Sequence, residues 1–140
     1  MIPLDHAIHG RPYEQTNDGP RFRPCAPHGV LARLGDKWTI LVMSHLAIAT
    51  GHRLRFSELK HGIDGITQRM LTLTLRNLER DGLLNRHYFP EVPPRVEYEL
   101  TAMGASMLPA LEGFTSWIRD NWPHMEECRQ AFDAAKIKHG

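Results

Sequence analysis

The stretch from residue 65 to residue 84 constrains this chain more than any other. Leu71, Leu75 and Leu78 recur at helical spacing and make one apolar face. Thr67 stands where an N-cap is needed, and Gly82 stands where the helix must stop. Arg69, Thr72, Arg76 and Arg80 fall on another face, and no acidic residue occurs between Ile66 and Leu78. The exposed side of such a helix offers hydrogen bonds and positive charge, as a helix lying in the major groove of DNA must.

The flanking segments extend this pattern. Ser57 caps a predicted short helix over 58–61 ended by Gly62, which with the next helix has the form of a helix-turn-helix. Two strand-like runs come next, 84–89 and 96–100, joined across Pro93 and Pro94. In the second, Val96, Tyr98 and Leu100 alternate with Glu97 and Glu99, a period of two. A two-stranded hairpin directly after such a helix is a wing. Upstream, Val30, Leu31 and Leu34 fit a short helix ending near Gly35, and Asp36 caps a helix apolar on most sides, which should be central and buried. Arg53 to Arg55 suggest a short strand. Thr101 should start a long final helix with a stripe of Met103, Met107, Leu111, Phe114, Ile118 and Trp122, ended by Pro123, with a second short helix over about 124–135.

The expected fold is therefore mainly α with a small β-hairpin wing (α+β). Residues 1–24 read as an N-terminal arm, extended or partly disordered, rich in Pro and Gly. Residues 25–122 form the winged helix-turn-helix domain, and 123–140 a C-terminal helix and tail. The length of 140 residues suits one such domain. No apolar run approaches a membrane span and no secretion signal is evident, so a cytoplasmic location without membrane contact is expected. The net charge of only +1 makes the local distribution decisive: basic residues gather in the centre, whereas Glu112, Asp120, Glu126, Glu127 and Asp133 lie in the last third. Two cysteines cannot supply a disulfide framework, and neither has zinc-ligand spacing, so no metal or cofactor is expected. No phosphate loop, nucleophile elbow or dinucleotide fingerprint occurs, which argues against an enzyme.

Taken in order, residues 25–27, 35–41, 55–59, 65–72, 78–83 and 91–98 resemble the HxlR-type family of winged helix-turn-helix transcriptional regulators. The resemblance runs from residue 25 to about 111 and implies a homodimer, with the N-terminal helix and the long C-terminal helix forming its interface. It also implies repression or activation at a promoter. Some members use the cysteine that matches Cys25 to sense oxidants or electrophiles.

Candidate contacts with double-stranded DNA can be assigned on this basis. Thr67, Gln68, Arg69 and Thr72 lie near base edges at the start of the recognition helix, where Arg can pair with guanine and Gln with adenine. Arg76 reaches a base or a phosphate. Ser57, Arg55 and Lys60 are candidate backbone contacts, Ser57 serving as helix cap, phosphate donor or both. Arg86 and Arg95 belong to the wing, where Arg95 either touches DNA or pairs with Glu91 or Glu97. Cys25, beside Arg23 and His28 at a helix start, is a redox-sensing candidate; the competing reading is a small interface residue. A small-molecule effector pocket lined by Met43, Met107, Phe114 and Trp117 competes with dimer packing as the role of the C-terminal stripe. A protein-interaction module built on the same fold is the rival to DNA binding.

Overall fold

A computed structural model describes residues 28–139. Cys25 and the arm over 1–24 lie outside the described residues. The elements run α1 (His28–Leu34), α2 (Lys37–Ile48), a 3-10 turn (Thr50–His52), β1 (Arg53–Arg55), α3 (Phe56–Gly62), α4 (Gln68–Arg80), β2 (Leu84–Phe89), β3 (Arg95–Leu100), α5 (Ala102–Ser106) and α6 (Leu108–His139). This is the expected helical domain with a small sheet. The wing, however, holds three antiparallel strands in the order β1-β3-β2, because Arg53, Leu54 and Arg55 pair with Glu99, Tyr98 and Glu97. Among the described residues, no helix is long and apolar enough to cross a membrane.

The core is a contiguous cluster of apolar side chains. Val42, Met43 and Leu46 of α2 meet Leu59 and Ile63 from around α3, Leu71, Leu75 and Leu78 of α4, and Leu84, Tyr98 and Leu100 of the sheet. Helix α2 packs against α3, α4 and α6, which makes it the central helix its composition predicts. Asp36 caps it by accepting from the N–H groups of Trp38 (3.0 Å) and Thr39 (3.4 Å).

Both ends of α4 are fixed as the sequence suggests. Thr67 Oγ1 accepts from Met70 N–H at 3.1 Å. At the other end Gly82 takes φ 82°, its N–H donates to Glu79 O, and Leu83 N–H reaches back to Leu78 O at 2.9 Å. This is a Schellman closure, and an L side chain at residue 82 would be strained. Two further groups clasp the same end. Arg33 of α1 donates from Nε and Nη2 to the Asp81 carboxylate at 3.0 and 3.1 Å. Thr101 Oγ1 donates to Gly82 O at 2.7 Å while accepting from Gly104 N–H. Gly104 must be glycine here, since a Cβ would collide with the Leu83 carbonyl oxygen.

Three sequence expectations need correction. Ser57 is not the cap of α3: the helix begins at Phe56, Arg55 stands at the cap position, and the Arg55 N–H donates to Glu58 Oε1 at 2.7 Å. The helix that Thr101 starts is short, because Pro109 has no N–H to give Ala105 and its ring crowds that carbonyl; α5 therefore stops at Ser106 and α6 starts afresh at Leu108. Pro123, conversely, does not end α6, which runs unbroken for 32 residues. The residues beyond Pro123 include Met125, Glu126, Glu127, Gln130, Ala131, Ala134 and Ala135. Their helix propensity offsets the one lost hydrogen bond, and the exposed position lets water take the freed carbonyl.

The apolar stripe on α6 divides along its length. Met107, Leu108 and Leu111 pack against the core. Phe114, Trp117, Ile118 and Trp122 stay exposed, Trp117 at 56% and Trp122 at 50%. Phe132 and Ile137, farther out, are also exposed. The four residues suggested for an effector pocket are therefore split, with Met43 fully buried and Phe114 and Trp117 in solvent.

Candidate nucleic-acid interface

Helix α4 buries Leu71, Thr74, Leu75 and Leu78 and turns its opposite side outward. Residues four apart stack on one face of a helix, so Gln68, Thr72 and Arg76 form an exposed row along it. The N-terminal end of α3 and the β2-β3 hairpin lie beside that row. Together they enclose a cleft of about 900 Å3, lined by Arg55, Ser57, Gln68, Thr72, Arg76 and Arg86, with the turn from Glu91 to Arg95 along its rim. Seven of the ten residues proposed to contact DNA thus meet in one place. Thr67 and Arg69 are exposed at the start of α4 but outside the cleft, and Lys60 is half-buried on α3.

The charges in the cleft are unequal. Four arginines (55, 76, 86 and 95) face two glutamates (79 and 91). Among the described residues, Arg55, Lys60, Arg69, Arg76 and Arg86 form no ion pair. Arg86 lies 5.6 Å from the Tyr88 ring centroid, which orients it without neutralising it.

Arg95 is different. Its Nη1 donates to both Glu91 oxygens at 2.8 and 2.6 Å, and its Nε donates to Glu97 Oε2 at 2.8 Å. The guanidinium also stacks 4.0 Å from the Phe89 ring centroid. Both acids that the sequence offered as partners are therefore engaged. The strand register, which sets Phe89 opposite Arg95, explains the stacking.

Glu97 is the hub of the wing. Arg53 on β1 donates to Glu97 Oε1 at 2.6 Å, so the carboxylate ties β1 to Arg95 beside the hairpin turn. The Arg53 hydrogen bond, with the positive charges of Arg53 and Arg95, holds the Glu97 carboxyl below the ordinary carboxylate range against the opposing effect of burial. Arg53 also lies 3.5 Å from Glu99, whose Oε1 is 3.0 Å from His87 Nε2. Sequence reasoning does not single out residues 53, 79 and 89 as parts of the site. For Phe89 the hairpin register would have found it; Arg53 reaches the wing only through the β1-β3 pairing, and Glu79 carries no sequence signal apart from its place on α4.

Comparison with known proteins agrees with this architecture. The family model for HxlR-like helix-turn-helix proteins matches residues 33–126. An HTH-type transcriptional regulator of Methanothermobacter thermautotrophicus is 46% identical over 102 residues, which are 73% of this chain and 76% of that protein. A solved structure described as a transcriptional regulator, ytfH, from Salmonella typhimurium superposes with a TM-score of 0.69 at 33% identity, covering 81% of this chain and 99% of that one. The redox regulator HypR in its reduced form superposes with a TM-score of 0.64 at 36% identity, covering 71% of this chain and 96% of that one.

Proposed function

The chain belongs to the HxlR-like helix-turn-helix family of transcriptional regulators, and from that premise we propose that it binds duplex DNA sequence-specifically as a homodimer. The observation that carries the proposal is the convergence of unpaired basic and polar side chains from α3, α4 and the wing on one cleft. Thr67, Gln68, Arg69 and Thr72 read base edges from the start of α4. Arg55, Ser57, Lys60, Arg76, Arg86 and Arg95 hold the backbone and fix the register. The role is non-catalytic and cytoplasmic.

The second copy has a place to sit. Phe114, Trp117, Ile118 and Trp122 form an exposed apolar strip on α6, of the kind that monomeric proteins seldom leave uncovered. Pairing through α6 and α1 gives two recognition helices, which enter successive major grooves about 34 Å apart and require an inverted-repeat operator. Selection from a pool of random duplexes tests both statements. An enriched inverted repeat is expected; a pool that yields no motif would sink DNA reading in favour of a protein-docking role. Sedimentation of Trp117→Glu/Trp122→Glu should give a folded monomer, and a dimer that survives would move the interface elsewhere.

Thiol control at Cys25 is part of the same reading, supported by the likeness to HypR, which is a redox regulator. Oxidation should change DNA affinity in the wild type and leave Cys25→Ser unaffected. An equal response in both proteins removes Cys25 from the mechanism and points to the exposed thiol of Cys128, whereas no response in either leaves a small-molecule effector as the input.

A further inference from the structure

The wing presents an arginine at the DNA-facing cleft with its outer edge already occupied by a carboxylate. The geometry points to Glu91 as a phosphate mimic that holds Arg95 until a backbone phosphate displaces it, and that thereby sets how tightly the protein grips any duplex. This rests on the DNA-binding proposal above. Three observations carry it.

The two carboxylates on Arg95 are not equivalent. The Glu97 side chain is 17% exposed and shared with Arg53, whereas the Glu91 side chain is 51% exposed and bonded to Arg95 alone. The Glu91 bond is therefore the one that can open. Second, Arg95 keeps its aim when it opens, because Nε remains on Glu97 and the guanidinium remains stacked on Phe89. Third, Glu91 and Arg95 border the same cleft as Gln68, Thr72, Arg76 and Arg86, so a strand held there passes the guanidinium edge that Glu91 covers. A carboxylate and a phosphate both present anionic oxygens to an arginine N–H, so a phosphate oxygen can replace the Glu91 oxygens at Nη1.

The exchange has a defined cost. Binding releases the counterions condensed on the phosphate that Arg95 neutralises, but the freed Glu91 carboxylate, next to a polyanion, recruits a cation in turn. Glu91 thus subtracts from both affinity and salt dependence. It acts equally on all sequences, since the contact is with the backbone.

A double-mutant cycle on the full chain tests this, with Glu91→Gln, Arg95→Gln and the double variant. The probes are the duplex enriched by selection and a mixed-sequence duplex of the same length, both about 30 base pairs. Anisotropy titrations across about 50–200 mM KCl supply affinities and salt slopes. Glu91→Gln should bind both duplexes about two- to fivefold tighter at about 150 mM salt, the range of an exposed ion pair. Its salt slope should steepen by as much as about one unit per protomer. In the Arg95→Gln background the same substitution should change affinity by less than about 1.5-fold, since exposed substitutions away from a contact do little. Weaker binding by Glu91→Gln would overturn the inference and make Glu91 a brace that the wing needs. So would an equal gain with and without Arg95, which marks mere removal of negative charge. If the wild type binds neither duplex, the DNA-binding proposal itself fails, and that outcome is distinct from the other two.

Discussion

Replacing Arg76 by alanine probes the geometry of the interface most directly. Arg76 comes eight residues after Gln68 on the same face of α4, which is about 12 Å along the helix axis. The major groove is only about 8.5 Å deep. With α4 entering the groove N-terminus first and Gln68 at the base edges, Arg76 stands at the lip of the groove, where the phosphates are. Counting Arg55, Lys60, Arg76 and Arg86 as one backbone contact each, with Arg95 offset by the cation that the freed Glu91 recruits, gives four per protomer and eight per dimer. At about 0.9 counterions per contact, log K should fall against log salt with a slope of about −7, or about 10^4-fold between 50 and 200 mM. Arg76→Ala removes two of the eight contacts, so the slope should relax to about −5, with the loss of affinity largest at low salt. Anisotropy titrations of wild type and variant on one duplex measure both quantities. An unchanged slope together with a relaxed sequence preference would place Arg76 on a base and refute the depth argument.

Single features of the fold give further expected outcomes. Arg69→Ala should weaken binding to the selected duplex by about 1–3 kcal/mol and erase the preference at one position of each half-site; a gel-shift series with wild-type affinity removes Arg69 from base reading. Glu97 titrates below its ordinary 4.5 in the folded protein. Its contribution to stability is therefore fully present above 4.5 and is lost as pH falls through the lower folded value. A carboxyl-detected NMR titration should find that midpoint, and Arg53→Gln should raise it; a midpoint at or above 4.5 in the wild type contradicts the hydrogen-bonded hub. Gly104→Ala should cost about 1–3 kcal/mol or more, because the clash is with backbone rather than with a flexible side chain. Urea melts should show a lower midpoint at constant slope, and an unmoved midpoint would mean that α5 can shift away from Leu83.

How much the sequence discloses depends on how local the determinant is. Thr67, Gly82 and the leucines at 71, 75 and 78 act within one helix, so their roles are legible from spacing and hold in the structure. The exposed row of Gln68, Thr72 and Arg76 is legible for the same reason. Pro123 misleads because a proline's effect depends on the residues C-terminal to it, and here a long run of helix-favouring residues outweighs one missing bond. Pro109 interrupts the helix at Met107, although Met107 itself stays in the αR region, donating to Gly104 O at 3.1 Å and accepting from Leu111 N–H at 3.2 Å. Ser57 looks like a cap on composition alone, but the chain is already helical at Phe56 because Glu58 takes the Arg55 N–H. The wing required pairing between elements distant in sequence. Arg53 meets Glu97 across 44 positions, and no periodicity announces that. Arg95 shows the limit most clearly: its charge is visible in the sequence, but only the folded hairpin places Glu91, Glu97 and Phe89 around it.

The unbroken course of α6 has a mechanical consequence. Its 32 residues make a rod of about 48 Å, whose apolar contacts with the core, among the described residues, lie near its base, at Leu108 and Leu111 with Met107 just before it. A cantilever of that length turns a tilt of about 5° at the root into about 4 Å at the free end. Two such levers clasped along their outer turns would run the conversion backwards, so that an ångström-scale slip where they touch re-aims the two heads they carry.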